Sequence, residues 1–227
     1  MNRPLNWPII RLLMIKDWHL FRKQLAAYLL VGIVALAFLG LARPWAFYIG
    51  SLLLIILLVA MGCFSISMSL LTERKEQTLA FVMSLPVTPR DFTIAKLAGN
   101  LLTFAVPFLV IAACTALVVL GTPLPDGLLV FAAPVFGHIL VAYCLSLAFA
   151  MQVESEGWNM FVMIGSMLLV NPMIMLLGQM ESIRAVTEGE AIVFGAPILA
   201  ILAAQLGVSA ACLAFAVWWN GRKPAFY

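Results

Sequence analysis

The sequence predicts an all-α integral membrane protein with six transmembrane helices, and three observations lead to this prediction. Of its 227 residues, 64% are hydrophobic and only 10% are charged, whereas soluble domains are about 45–50% apolar and about 25% charged. The mean hydropathy is +1.09, so a soluble fold could not bury this much apolar surface. Charge-poor stretches long enough to cross a bilayer, which takes about 20 residues, recur six times.

The six predicted spans belong to one transmembrane domain, residues 1–227, with no inserted soluble domain. Residues 24–219 hold the spans, residues 1–23 precede them and residues 220–227 form a tail. The predicted spans are 24–42, 45–71, 97–120, 127–151, 158–177 and 191–219.

Basic residues are distributed unevenly among the segments that join the spans. Of the 13 lysine and arginine residues, only Arg43 and Arg184 lie in segments on the side of the membrane opposite to the two termini. By the positive-inside rule, we expect both termini to be cytoplasmic. The residues on the predicted cytoplasmic side are Arg3, Arg11, Lys16, Arg22, Lys23, Arg74, Lys75, Arg90, Lys96, Arg222 and Lys223.

The segment before the first span predicts an amphipathic helix. Large apolar residues recur there at three- and four-residue steps, from Trp7 through Met14 to Phe21, with Lys16 and Lys23 on the other face. Helices of this pattern commonly lie flat in the membrane interface. The alternative is that the segment simply extends the first span.

Residues 72–91, between the second and third spans, form the only sizeable loop on the predicted cytoplasmic side. Good helix formers run from Glu73 to Met83, and Pro86 ends this run. Thr88 then has the character of an N-cap residue, with Pro89 at the first helical position. The sequence therefore predicts a short helix, a turn and a new helix start at the third span.

Two further patterns concern helix breaks and helix packing. Asn171-Pro172 interrupts the fifth span, so we expect either a kink or short outer helices over residues 171–190. The last span carries small residues at four-residue steps, which predicts close approach of another helix. These residues are Ala196, Ala200 and Ala204 on one register and Ala203, Gly207 and Ala211 on the next.

The sequence contains no recognisable catalytic, cofactor-binding or metal-binding motif. No glycine begins a P-loop, so the chain has no Walker site for ATP. Each of the four cysteines falls in a different span, which favours packing over metal binding. His138 is nearly the only ionisable residue within a span, and an intramembrane enzyme using it with a nearby serine is a minor alternative.

The loop between the second and third spans resembles that of the membrane subunits of type-2 ABC exporters. Lys16-Asp17-Trp18 is also similar to the elbow helix of those subunits, whereas Gln77 departs from their usual glycine. The resemblance is carried by Glu73-Arg74-Lys75-Glu76-Gln77-Thr78-Leu79, by Ser84-Leu85-Pro86-Val87, by Arg90-Asp91 and by Lys96.

The resemblance implies a permease in a bacterial cytoplasmic (inner) membrane that exports a hydrophobic or amphipathic substrate such as a drug, peptide or lipid. It implies a homodimer of the permease in the lipid bilayer, bound to two copies of a separate ABC ATPase subunit. ATP and Mg²⁺ would be bound by that partner, so no cofactor is expected in this chain, and no nucleic acid is expected as a partner.

Within that resemblance, the helix of the loop is a coupling helix that sits in a groove of the ATPase. Polar lining of the substrate path is expected from Ser65, Ser69 and Asn171, all of which could instead be packing residues. The alternative function is a membrane scaffold or assembly factor. The residues expected to contact the ATPase are Glu73, Arg74, Glu76, Thr78, Leu79, Val82, Met83, Leu85, Pro86 and Arg90.

Overall fold

The computed structural model describes residues 7–71, 89–187 and 192–222, and within these ranges the chain is helical, without β-strands. A π-helical turn, Ser67–Leu71, continues the second helix. The α-helices are α1 (Trp7–Gly40), α2 (Pro44–Ile66), α3 (Pro89–Gly121), α4 (Leu128–Ala150), α5 (Glu156–Leu168), α6 (Val170–Gln179), α7 (Glu181–Thr187) and α8 (Ala196–Asn220).

The predicted all-α architecture is confirmed for the described residues. Six helical stretches among them are long and apolar enough to cross a membrane, with α5 and α6 together forming the fifth. Because successive spans pack antiparallel to one another, as the contacts of Gly50 with α1 and of Ser65 and Ser69 with α3 show, the bundle has two ends. We call the end where α2 stops and α3 starts the loop end, and the other the opposite end.

The first helix is longer than a membrane requires. α1 has 34 residues, which rise about 51 Å against a hydrocarbon core of about 30 Å. The predicted N-terminal helix and the first span form this one continuous helix, so the two are not separate elements. That the N-terminal part of α1 lies flat in the membrane interface stays a prediction.

The start of α3 follows the predicted sequence chemistry, and α2 starts in the same way. α3 begins at Pro89 as expected, and α2 has Pro44 at its first position after the N-cap Arg43. Proline is favoured there because the first N–H groups of a helix have no intrahelical acceptor. Thr88, the predicted N-cap of α3, lies outside the described residues.

The fifth span is interrupted, as the sequence predicts. The break falls at Leu169, which is both the C-cap of α5 and the N-cap of α6. Pro172 is therefore the third residue of α6, where its missing N–H leaves no hydrogen bond unmade. The span ends at Gln179, and the short helix α7 follows and packs against α4.

Close packing between α1 and α2 depends on Gly50. A Cβ at this position would lie 2.8 Å from the carbonyl oxygen of Ala35 and 2.8 Å from the backbone nitrogen of Leu39. Both atoms belong to the backbone of α1, so neither can move aside as a side chain would. The two helices can approach this closely only because residue 50 has no side chain.

The small residues of α8 do not pack against any other helix in the part of the chain that the structure describes. All six residues on the two predicted registers are exposed, so the predicted close approach involves none of the described helices. α8 instead packs on α4 through its other face, where the Gln205 amide donates to the carbonyl oxygen of Pro134 at 2.9 Å. The small-residue face is left on the surface of the monomer.

We expect Gly50→Ala to destabilise the protein by about 1–3 kcal/mol, because overpacking forces the backbones of α1 and α2 apart. The measurement is the free energy of unfolding in a single detergent. Gly207→Ala is the matched control, since no atom lies within 4 Å of its Cβ position. Equal stability of the two variants would contradict this account of the α1–α2 contact.

Candidate functional site: a buried polar cluster

A row of polar residues runs along one face of α3 near the loop end. Thr93, Lys96, Asn100 and Thr103 follow one another at three- or four-residue steps, and each is at most 2% exposed. This spacing places the four side chains on the same side of the helix. In a span made largely of apolar residues, such a face needs polar partners on its neighbours.

The first partner is Asp17 on α1. The ammonium of Lys96 donates to both carboxylate oxygens of Asp17, at 3.3 and 3.1 Å. The side chains are only 2% and 3% exposed, so the charges are shielded from water and balance one another. This ion pair joins α1 to α3.

Asn100 connects α3 to the end of α2. Its amide nitrogen donates to the hydroxyl oxygen of Ser69 at 2.8 Å and to the carbonyl oxygen of Lys96 at 2.9 Å. Its amide oxygen accepts from the Ser65 hydroxyl at 3.2 Å. Ser69 belongs to the π-helical turn, and π-helical turns within helices frequently occur at functional sites.

Tyr143 brings α4 into the same group of side chains. Its hydroxyl donates to the carbonyl oxygen of Asn100 at 2.7 Å and lies 3.5 Å from the Ser65 hydroxyl. Its ring stacks on Phe104, with centroids 3.8 Å apart and planes 9° apart. Four helices therefore meet in one polar cluster, which consists of Asp17, Ser65, Ser69, Lys96, Asn100, Thr103 and Tyr143.

The polar cluster lies between the two attachment points of residues 72–88. Ser69 is two residues before Leu71, where α2 and its π-helical turn end, and Lys96 is seven residues after Pro89, where α3 begins. Lys96 is also the last charged residue of α3 before its apolar part. The cluster is therefore a rigid polar connection just inside the point where the loop joins the bundle.

Two of the three residues predicted to line a substrate path are members of this cluster. Ser65 and Ser69 are 6% and 1% exposed, and both hydroxyls bond to Asn100. The structure thus brings these two serines together, but in a packed connection between helices. Asn171 is exposed at the start of α6 and is not a member of the cluster.

The residues predicted to contact an ATPase lie largely outside the described part of the chain. Arg90 has its backbone in the first turn of α3. The others, which are outside the described residues, are Glu73, Arg74, Glu76, Thr78, Leu79, Val82, Met83, Leu85 and Pro86.

His138 does not form a serine–histidine pair with the serines of α2. The hydroxyl of Ser65 bonds to Asn100, and Ser69 accepts from the same residue. The Nε2 atom of His138 is buried without a hydrogen-bond partner among the described residues. Activation of a serine nucleophile requires such a bond, so this part of the structure offers no support for the enzyme alternative.

Sequence reasoning missed most of the polar cluster. Asn100, Thr103 and Tyr143 were not predicted as site residues, and Asp17 and Lys96 entered only through the family resemblance. The polar face of α3 could have been found in the sequence, because polar residues recur there at three- and four-residue steps within an apolar span. Nothing in the sequence around Tyr143 distinguishes it from the other aromatic residues of the spans.

Comparisons with protein-family models, with curated proteins and with solved structures found no match to this chain.

We expect Lys96→Ala to destabilise the protein by about 3–5 kcal/mol, the usual cost of leaving one charge of a buried pair without its partner. The double variant Asp17→Leu, Lys96→Met should recover most of this stability, because it removes both charges. Unfolding in detergent measures both effects. Lys23→Ala, at an exposed residue of α1, is the control. If Lys96→Ala is as stable as this control, the ion pair does not hold α1 to α3.

We expect Tyr143→Phe to cost about 0.5–1.5 kcal/mol, the net contribution of one hydrogen bond, while the ring stacking on Phe104 is kept. Tyr48→Phe removes the same hydroxyl from a residue that is 72% exposed and should change stability little. The unfolding free energies of the two variants test this difference. Identical values would mean that the Tyr143 hydroxyl does not hold α4 to the cluster.

Proposed function

We propose that this protein is the permease subunit of an ATP-driven exporter of the type-2 ABC class and that residues 72–88 dock on a separate ATPase. The observation that carries the proposal is the polar cluster. It ties α1, α2, α3 and α4 together close to both attachment points of the loop whose sequence resembles the coupling region of such permeases.

The physical argument concerns the transmission of force. A loop that moves with a partner can tilt membrane helices only if the helix ends to which it is joined do not slip past one another. The Asp17–Lys96 pair and the bonds of Asn100 resist such slipping, because their separation would leave charged or polar groups unpaired in an apolar bundle. A push on the loop would therefore displace four helices together.

Charge distribution supports a cytoplasmic location for the loop end. Basic residues near this end of α1 and at the end of α8 are exposed, where they can contact anionic headgroups. Under this orientation the loop and both termini face the compartment that contains ATP. The exposed residues are Arg11, Lys16, Arg22, Lys23 and Arg222.

The proposed cargo is hydrophobic or amphipathic, because the spans offer almost no charge to a hydrophilic solute. The charges of Asp17 and Lys96 neutralise one another inside the cluster. We assign Ser65 and Ser69 to coupling between helices instead of to the substrate path. Two permease copies and two ATPase copies complete the proposed assembly in a bacterial inner membrane.

A membrane scaffold is the second candidate function. The observation that favours it is the small-residue face of α8, on which all six residues are exposed. Small residues let a second membrane helix approach closely. A scaffold would retain its activity after the charges of the loop are reversed, which distinguishes it from a permease.

The test is co-expression with the ATPase encoded beside this chain, purification through a tag on this chain alone, and measurement of ATP hydrolysis in proteoliposomes. We expect the ATPase to co-purify and Glu73→Lys to reduce its recovery about tenfold, which corresponds to about 1.4 kcal/mol of lost binding. Reversal of a charge that faces the partner replaces attraction by repulsion.

Glu154→Lys is the matched control for this experiment. It makes the same charge reversal at an exposed residue of the other loop at the loop end, between α4 and α5, and should leave co-purification unchanged. Failure of the parent chain to retain the ATPase would contradict the proposal. So would an equal effect of both charge reversals, since the interaction would then depend on overall charge alone.

A further inference from the structure

An apolar cavity of about 350 Å³ lies within the half of the bundle at the opposite end. This volume falls within the range of about 300–1,000 Å³ that is typical of small-molecule sites. The cavity wall ends close to the polar cluster along the chain, since Leu58 is seven residues before Ser65 and Ile139 is four residues before Tyr143, but it includes no member of the cluster. Residues of α1, α2, α3, α4 and α6 line it, among them Leu39, Phe47, Val119, Phe131, Val135 and Ile174.

The wall of the cavity is almost entirely apolar, and the side chain of Tyr48, one of its three hydroxyl-bearing residues, is 72% exposed. Ser51 and Thr115 are in its wall, but the Ser51 hydroxyl donates to the carbonyl oxygen of Phe47 at 2.8 Å and the Thr115 hydroxyl to that of Ile111 at 2.8 Å. Apolar cavities of this kind exclude water and accept hydrocarbon. The ligand part that enters must therefore be hydrocarbon.

The length of the cavity matches one leaflet of a bilayer. On α2 its wall runs from Phe47 to Leu58, and on α4 from Leu128 to Ile139. Eleven residues of helix rise about 17 Å, close to half of a hydrocarbon core of about 30 Å. An acyl chain that enters from the leaflet at the opposite end would extend along this wall.

A second apolar groove, of about 530 Å³, lies beside the cavity. The two share Thr115, Ala132 and Phe136 as wall residues. Neighbouring apolar spaces separated by a thin wall can hold two chains of the same molecule. This arrangement favours a lipid with two acyl chains over a single-chain fatty acid.

Two residues of opposite charge lie close along the chain to residues of the cavity wall. Arg43 is exposed and lies one turn before Phe47, whose backbone N–H donates to its carbonyl oxygen at 2.9 Å. Asp126 is two residues before Leu128, the first cavity residue of α4. A phosphate would be attracted to Arg43 and an ammonium group to Asp126, which together match a zwitterionic headgroup.

We infer that the cavity and the neighbouring groove bind the two acyl chains of a zwitterionic phospholipid from the leaflet at the opposite end. The headgroup phosphate lies at Arg43 and the headgroup amine at Asp126. The bound lipid fills the space between α2 and α4. This site does not depend on the proposed export function, because the purified chain alone contains all of its parts.

The test uses a phosphatidylethanolamine probe with a photoreactive diazirine in one acyl chain, added to the full chain purified in detergent. We expect labelling to concentrate on peptides of α2 and α4 that line the cavity, and excess unlabelled phosphatidylethanolamine to suppress it. Labelling spread evenly over the exposed faces of all the helices would overturn the inference.

Ala132→Phe is the blocking variant, because its ring would fill the wall between the two spaces. We expect it to lower the labelling about tenfold, the change that 1.4 kcal/mol of lost binding produces. Ala60→Phe makes the same change at an exposed residue of α2 outside the cavity and should leave labelling unchanged. Equal labelling of the two variants would overturn the site.

The headgroup assignment has its own variant, which keeps the cavity intact. Arg43→Ala changes an exposed side chain and should reduce labelling by the phosphatidylethanolamine probe without altering thermal unfolding. The parent chain should label less with a phosphatidylglycerol probe, because that headgroup has no amine for Asp126. If labelling changes neither with Arg43→Ala nor with the headgroup of the probe, the roles of Arg43 and Asp126 are overturned.

Discussion

The ion pair between Asp17 and Lys96 is the constraint on which the arrangement of the bundle depends. Each charge alone would be strongly unfavourable in a bundle of apolar helices, and together they are tolerated because each satisfies the other at 3.1 Å. The pair fixes the position of α1 along α3 to within one residue, since no other acidic residue of α1 is available. Apolar packing alone would not fix that position, because most apolar side chains can replace one another along a span.

Asn100 extends this fixed position to the other helices. The side-chain amide of Asn100 is hydrogen-bonded to Ser65 and Ser69, and its backbone carbonyl oxygen accepts from Tyr143. The positions of α2 and α4 therefore follow from that of α3. The π-helical turn at Ser67–Leu71 widens the last turn of α2 where Ser69 meets the amide. A loop joined to such a group of helices is attached to a unit that moves as a whole.

The six spans could be predicted from the sequence because length and hydropathy alone decide whether a helix crosses a bilayer. The starts at Pro44 and Pro89 and the break near Pro172 were predictable because proline acts locally on its own turn. The polar cluster was not, since a pair such as Asp17 and Lys96 depends on which helices become neighbours. Likewise, small residues on α8 indicate a close contact without indicating the partner, and the described helices leave that face exposed.

The pairing of Asp17 with Lys96 also constrains how the protein is made. The two residues are 79 positions apart, so the ribosome releases Asp17 long before its partner emerges. During that interval the carboxylate lacks the ammonium of Lys96, and burial of a carboxylate among apolar helices is unfavourable. The buried pairing of Asp17 described here can therefore form only once α3 has been made, so the first helix depends on the third for its final contacts.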